Sequence, residues 1–260
     1  MKTANRPLPI KMGEPGSRLR LDDALVKAGL APSRSRARDM VLRGTVTVNG
    51  HVADRPGRAV AADAQLAADD PAAGYVSRAA LKLIAGLDAL GFDPAGLSVV
   101  DLGASTGGFC QVLLERGADC VLGVDIGHGQ MAPDLAGEPR LTLLEGVNAR
   151  ELTRHHLAGR AVNAITCDVS FISLKLALPP ALGLAETGAW GVFLVKPQFE
   201  AGPAAIGKGG LVPPQEGKAA AEAIADWLAR QAGWSVAGLI ASPVAGGSGN
   251  REYLLGARRG

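Results

Sequence analysis

In WGVFLVKPQFE, residues 190–200, five of the six residues ahead of Lys196 are apolar and Pro197 follows it. Such a run reads as a buried strand, and an amine at its end calls for a chemical reason. Asp168 closes a second apolar stretch, NAITCDVSF, and Glu252 sits in SGNREY near the end of the chain. In open α/β sheets ligands bind just outside the carboxyl ends of the strands, so Asp168 and Lys196 are expected at one edge. The strands expected at 235–241 and 251–257 are joined by the short glycine-rich PVAGGSGN, which favours an antiparallel pair. An antiparallel last strand brings its beginning to the ligand edge, with Glu252 as its second residue. Burial and a second cation would each make Lys196 less basic. It could then take a proton from a hydroxyl while the carboxylates orient it. The other reading is a lysine that satisfies a buried carboxylate.

Next to these lies VVDLGASTGGFCQVLLERG, residues 99–117, a strand ending at Asp101, a glycine-rich turn and a helix. Gly103, Gly107 and Gly108 let the backbone approach a ligand, and the helix start offers free amides. Ser105 stands where the dinucleotide fingerprint needs its second glycine. The pattern D-x-G-x-x-x-G-G is instead similar to the cofactor loop of S-adenosylmethionine-dependent methyltransferases; a plain strand-to-helix turn is the alternative. Asp125 ends the next expected strand, VLGVD, where a carboxylate can accept both hydroxyls of a ribose. We add Asn148 to this cofactor set of Asp101, Gly103, Ser105, Gly107, Gly108 and Asp125.

The elements that must hold these groups alternate. Strands are expected at 97–102, 120–125, 141–145, 163–168, 189–196, 235–241 and 251–257, with helices at 77–90 and 215–232 the plainest among those between. This implies a Rossmann-like α/β sheet, mostly parallel with an antiparallel last strand. Arg78 and Lys82, four apart, share a face of the helix at 77–90; spacing alone leaves them as ordinary solvated charges.

Ahead of this domain (75–260) we expect a flexible tail (1–16), a small α/β unit (17–68) and a linker, DDPAAG (69–74). In the small unit Leu21, Ala24, Leu25 and Ala28 recur at helical spacing to Gly29. Ser33 can cap a second helix that Gly44 stops, and Asn49-Gly50 within TVTVNGHVA signals a hairpin. Residues 1–70 hold 12 Lys and Arg against 8 Asp and Glu, while the rest holds 15 against 17. The positive excess and the helix SRSRARDMVLRG suit phosphate contacts. Arg18, Arg34, Arg38, Arg43 and Arg78 are the candidates; a solvated face is the bland alternative for the charge run.

Several classes find no support. Cys110, Cys120 and Cys167 are odd in number and lack metal spacing, as do His51, His128, His155 and His156. No G-x-S-x-G or P-loop pattern occurs. The basic N-terminus has no apolar run behind it, so no signal peptide is expected. No apolar stretch is long enough to insert in a membrane. A reducing cytoplasm and a monomer are the expectations.

YVSR, DLGASTGGF, DVSFISL, VKPQFE and SGNREY together resemble the TlyA family. These are bacterial ribosomal-RNA 2′-O-methyltransferases, also labelled haemolysins, with an S4-type RNA-binding domain and an FtsJ-like methyltransferase domain. The resemblance implies S-adenosylmethionine as cofactor, and ribosomal RNA or ribosomal subunits as partners. It also implies a catalytic Lys-Asp-Lys-Glu tetrad, on Lys82, Asp168, Lys196 and Glu252. Lys82 rests on the resemblance alone. Ala79 departs from the glycine usual after VSR. An RNA-binding protein with haemolysin-type activity and no methyl transfer is the alternative.

Overall fold

The computed structural model describes residues 17–247 and 249–260; the expected tail, 1–16, lies outside them. The chain divides into two units, the first ending at Ala73 and the second beginning at Gly74.

The first unit runs β1 (Arg18–Arg20), α1 (Leu21–Lys27), α2 (Arg34–Leu42), β2 (Val46–Val48), β3 (His51–Val52), β4 (Ala59–Ala61) and β5 (Leu66–Ala68). The Ser33 hydroxyl accepts from the Arg36 amide at 3.2 Å and caps α2. Asn49 and Gly50 both take positive φ, 51° and 80°, so the turn joins β2 to β3 as a tight hairpin. β2 also pairs with β5, and β1 pairs with β4, all antiparallel. Leu21, Leu25, Ala37, Val41 and Val46 are fully buried between helices and strands. The stretch expected as a linker is partly packed: Ala72 is buried, and Asp70 is enclosed with it.

The second unit opens with α3 (Ala79–Leu90). Then come β6 (Ser98–Leu102), α4 (Gly108–Glu115), β7 (Cys120–Asp125), β8 (Leu141–Glu145), α5 (Arg154–Leu157) and β9 (Ala164–Cys167). They are followed by α6 (Leu174–Ala177), α7 (Pro179–Leu184), β10 (Trp190–Val195), α8 (Pro197–Glu200), α9 (Pro214–Ala229), β11 (Trp234–Ala241) and β12 (Tyr253–Arg259). The seven strands lie in the order β11-β12-β10-β9-β6-β7-β8. β12 is antiparallel to both neighbours; every other pair is parallel. This is the Rossmann-like sheet expected, with its antiparallel last strand.

Strand alternation splits the core in two. Val100, Leu102, Leu122, Phe193 and Leu255 face a layer that includes α6, α7 and α9. Val99, Val121, Val192, Leu194 and Leu254 face α3 and α4. From β6 the chain winds outward through β7 and β8, and β9 and β10 lie on the other side. The strand order therefore reverses between β6 and β9, which opens a crevice at their carboxyl ends.

Candidate active site

Two adjoining cavities occupy that edge. The larger, about 850 Å³, is lined by Gly103, Ser105, Asp125, Gln130, Asn148 and Ser170 among others. The smaller, about 290 Å³, is lined by Arg78, Lys82, Gly108, Asp168, Ser170 and Lys196 among others. Gly103, Ser105, Asp168 and Ser170 border both.

The glycine turn is shaped by its neighbours as much as by any ligand. Gly103 has φ +81°, and a Cβ there would lie 2.8 Å from the Asp168 carbonyl oxygen, so only glycine lets the β6 and β9 loops touch. Ser105 itself takes positive φ, 46°, the conformation that a glycine adopts without strain. Its amide donates to Asp125 Oδ2 at 2.8 Å, while the Gly127 amide donates to Oδ1 at 2.7 Å. Asp125 is thus held by two backbone donors at the mouth of the larger cavity, with lone pairs left on both oxygens. Asn148 follows β8 and accepts from the Arg150 amide at 3.1 Å. Gly107 and Gly108 begin α4. Gly107, at φ +93°, is the N-cap, and a Cβ on Gly108 would overlap the Ser77 hydroxyl.

Asp101 is placed differently from the rest of the expected cofactor set. It points into the core, with no exposed surface, and lines neither cavity. Its carboxylate accepts from Thr166 Oγ1 at 2.7 Å and from Cys110 Sγ at 3.1 Å. Desolvation, offset only by these neutral donors, pushes its pKa up to about 6. Burial likewise pushes the Cys167 thiol up to about 12.

The four groups expected to do chemistry are brought together as two ion pairs. Pro197 cannot continue the ladder and favours an extended Lys196, φ −107° and ψ 101°, so β10 stops at Val195 with the lysine just beyond it. Lys196 Nζ lies 2.6 Å from Asp168 Oδ1 and donates to Ser170 Oγ at 2.8 Å. Asp168 is the residue after β9, and its amide donates to the Leu102 carbonyl at 2.8 Å. Lys82 projects from α3 and is ion-paired with Glu252 Oε2; both are buried. Glu252 lies one residue ahead of β12 instead of second within it. A Cβ on Gly246 would overlap the Glu252 carboxylate, which accounts for a glycine in the β11–β12 connection.

The profile described as FtsJ-like methyltransferase matches residues 75–259, and the S4 domain profile matches residues 19–66. The 16S/23S rRNA (cytidine-2′-O)-methyltransferase TlyA of Mycobacterium tuberculosis is 43% identical over 92% of this chain and 89% of its own. The chain belongs to the TlyA family of FtsJ-like methyltransferases. Hemolysin A of Brachyspira hyodysenteriae, 32% identical over 91% of this chain and 98% of its own, is a further relative of this family member. A solved structure carrying the hemolysin name, from Streptococcus thermophilus, is 35% identical, with a TM-score of 0.73 over 95% of this chain and 90% of that one.

The arginines of this TlyA-family chain divide. Arg18 and Arg38 are exposed in the first unit. Arg34 is exposed too, with its Nε 2.8 Å from Asp23 Oδ1. Arg43, expected among the phosphate contacts, is turned inward. It grips Asp70 with both terminal nitrogens, at 2.7 and 2.9 Å, and Asp39 at 2.8 Å. The enclosed Asp70 carboxylate needs a cation, and Arg43 supplies it. Desolvation opposes the charge on Asp70. The Arg43 hydrogen bonds, the Ala72 amide and the charges of Arg43 and Arg36 together outweigh it and hold the carboxyl below its usual range. Arg78 borders the smaller cavity of the second unit.

Sequence reasoning passed over Gln130, Ser170, Phe171 and Phe199, all of which line the larger cavity. Phe171 is 90% exposed at φ +64°, with its ring centroid 5.3 Å from that of Phe199. The signal was available: a serine and a phenylalanine two and three residues after a strand-ending aspartate belong to the ligand edge.

Proposed function

We propose that the chain is an S-adenosylmethionine-dependent methyltransferase that modifies a ribose 2′-hydroxyl of ribosomal RNA, with Lys82, Asp168, Lys196 and Glu252 as its catalytic set. The observation that carries this reading is the pairing of two lysines with two carboxylates beside a cleft that meets a glycine turn. The cleft suits S-adenosylmethionine by its donor set. Asp125 has free lone pairs for two ribose hydroxyls, Ile126 beside it presents an exposed apolar face, and Ser105 and Asn148 add polar groups. When bound, that cofactor supplies an electrophilic methyl group.

The chain's own residues then do the following. The smaller cavity admits the acceptor nucleotide, with Arg78 at its border. Lys196, in its neutral form, takes the proton of the 2′-hydroxyl. Asp168 and Ser170 hold the Lys196 amine in place, the ion pair with Asp168 re-forming once the proton arrives, and Glu252 fixes the amine of Lys82. Holding hydroxyl and methyl in line supplies much of the acceleration. The first unit, with Arg18, Arg34 and Arg38 outward, grips RNA backbone in a salt-sensitive way. Ribosomal RNA is cytoplasmic, and the protein acts there.

Lys196→Ala tests the reading. Methyl incorporation into ribosomal subunits from a strain lacking the enzyme should fall by about 10²–10⁴-fold, the usual worth of a general base. Cofactor affinity, measured by calorimetry, should hold. Undiminished methylation by a folded Lys196→Ala protein would remove the assignment.

A further inference from the structure

Lys196 Nζ meets three oxygens: Asp168 Oδ1 at 2.6 Å, Ser170 Oγ at 2.8 Å and the Asp168 carbonyl at 3.3 Å. Two of these contacts are hydrogen bonds, to Ser170 Oγ and the Asp168 carbonyl, and the third is the ion pair with Asp168 Oδ1, so an ammonium, with three donors and no acceptor, suits all three. A neutral amine has two hydrogens and a lone pair, and the lone pair is best met by a donor. A carboxylate and a carbonyl can only accept. Of the three partners, only the Ser170 hydroxyl can turn round and donate.

Its location fits that task. Ser170 borders both cavities, and its loop is fastened at each end. At one end stand the Lys196 contacts. At the other, Glu200 accepts from Ser173 Oγ at 2.5 Å and from the Leu174 amide at 2.8 Å.

We propose that Ser170 is a positioning residue for the proton transfer, acting through Lys196. Its hydroxyl accepts from the ammonium and donates to the neutral amine. The nitrogen therefore stays turned toward the junction of the cavities in either state. An incoming ribose hydroxyl displaces Ser170 from the lone pair. The ribose O–H bond breaks, the proton goes to that lone pair, and the oxygen's electron pair is left for the bond to the methyl carbon, which S-adenosylmethionine would supply as its C–S bond breaks and the electron pair stays on sulfur. The inference rests on Lys196 being the base.

The experiment compares Ser170→Ala, Ser170→Thr and Lys196→Ala in steady-state methylation of ribosomal subunits from a strain lacking the enzyme, with thermal melts as the folding control. Ser170→Ala should lose about tenfold in kcat, the worth of one hydrogen bond to a reacting group. KM for both substrates should hold, and Ser170→Thr, which keeps a hydroxyl, should recover to within about twofold. Wild-type kcat in Ser170→Ala beside an inactive Lys196→Ala overturns the role of Ser170 and leaves the base in place. Equal losses in the alanine and threonine variants, or a loss confined to KM, also overturn it. Full activity in Lys196→Ala overturns the base and this inference together.

Discussion

The two cavities share four residues yet are built by different means. The larger is held by backbone: amides of Ser105 and Gly127 fix Asp125, and Gly103 lies against the Asp168 carbonyl. The smaller is held by charge, through Lys196–Asp168 and Lys82–Glu252. Backbone donors are carried by the fold whatever the side chains do, so a cleft made of them is fixed before any ligand arrives. Ion pairs out of solvent, fully so for Lys82–Glu252 and partly for Lys196–Asp168, are fixed only while both partners are present, because either charge alone is costly there. The cleft should therefore lose affinity when altered, whereas the smaller pocket should lose the fold's stability along with activity.

The sharpest way to break this contrast is Glu252→Ala. It strands the Lys82 ammonium, whose side chain is only 7% exposed. Removing one partner of a buried pair costs about 3–5 kcal/mol. Denaturant unfolding should register a loss of that size, with methylation falling too. Glu252→Gln, which keeps the shape and an acceptor, should lose less stability. A Glu252→Ala protein as stable as the parent would show that the pair is better hydrated than its burial suggests.

How much of this the sequence disclosed follows the same division. The part of the cleft read from the sequence comes from one stretch, Gly103 to Asn148, in which each strand hands over to a loop with its ligand-facing residue at the junction; Ser170, Phe171 and Phe199 complete it from further along the chain. Local pattern was enough to locate Gly103, Ser105 and Asp125. The smaller pocket is lined by Lys82, Asp168 and Lys196, with Glu252 paired to Lys82, and only the topology brings the four together. Strand ends and a short hairpin led to three of them; Lys82 came from the resemblance. What pattern cannot show is pairing. Nothing in the spacing says that Glu252 meets Lys82, or that Asp70, in an apparent linker, captures Arg43 from a basic helix. Nor does it say that Asp101 turns inward while Asp125 turns out. Asp125 is the last residue of its strand, but Asp101 is the last but one of β6, which ends at Leu102, and strand alternation puts the Asp101 side chain between Thr166 and Cys110.

Asp101 also sharpens the comparison, as a buried carboxylate with neutral partners in place of a cation. Its pKa in the fold, about 6, lies above the unfolded value of 3.8. Well below pH 3.8 the group is protonated in both states and has no linkage cost. As pH rises to 6 the unfolded chain releases the proton first, so stability falls. Above that the loss levels off at about 3 kcal/mol, two pKa units at about 1.4 kcal/mol each. Asp101→Asn removes the titration. Its stability relative to the parent should rise by up to that amount between pH 4 and pH 7.5, read from unfolding free energies at the two pH values. A difference independent of pH would mean that water reaches the carboxylate.

The smallest effect belongs to the cleft itself. Asp125→Ala leaves the Ser105 and Gly127 amides without their carboxylate acceptor, but both border an open cavity and water can replace it. Stability should therefore barely move. On the proposed reading, what is lost is a charged acceptor for the ribose hydroxyls, about 1.5–3 kcal/mol, or about 10–100-fold in affinity for S-adenosylmethionine. Calorimetric titration measures it directly. RNA binding should be unchanged, since the carboxylate has no part in gripping phosphate. An Asp125→Ala protein that unfolded as readily as Glu252→Ala would contradict the distinction between a cleft fixed by backbone and a pocket fixed by charge. One that bound cofactor as tightly as the parent would place the ribose elsewhere along the edge.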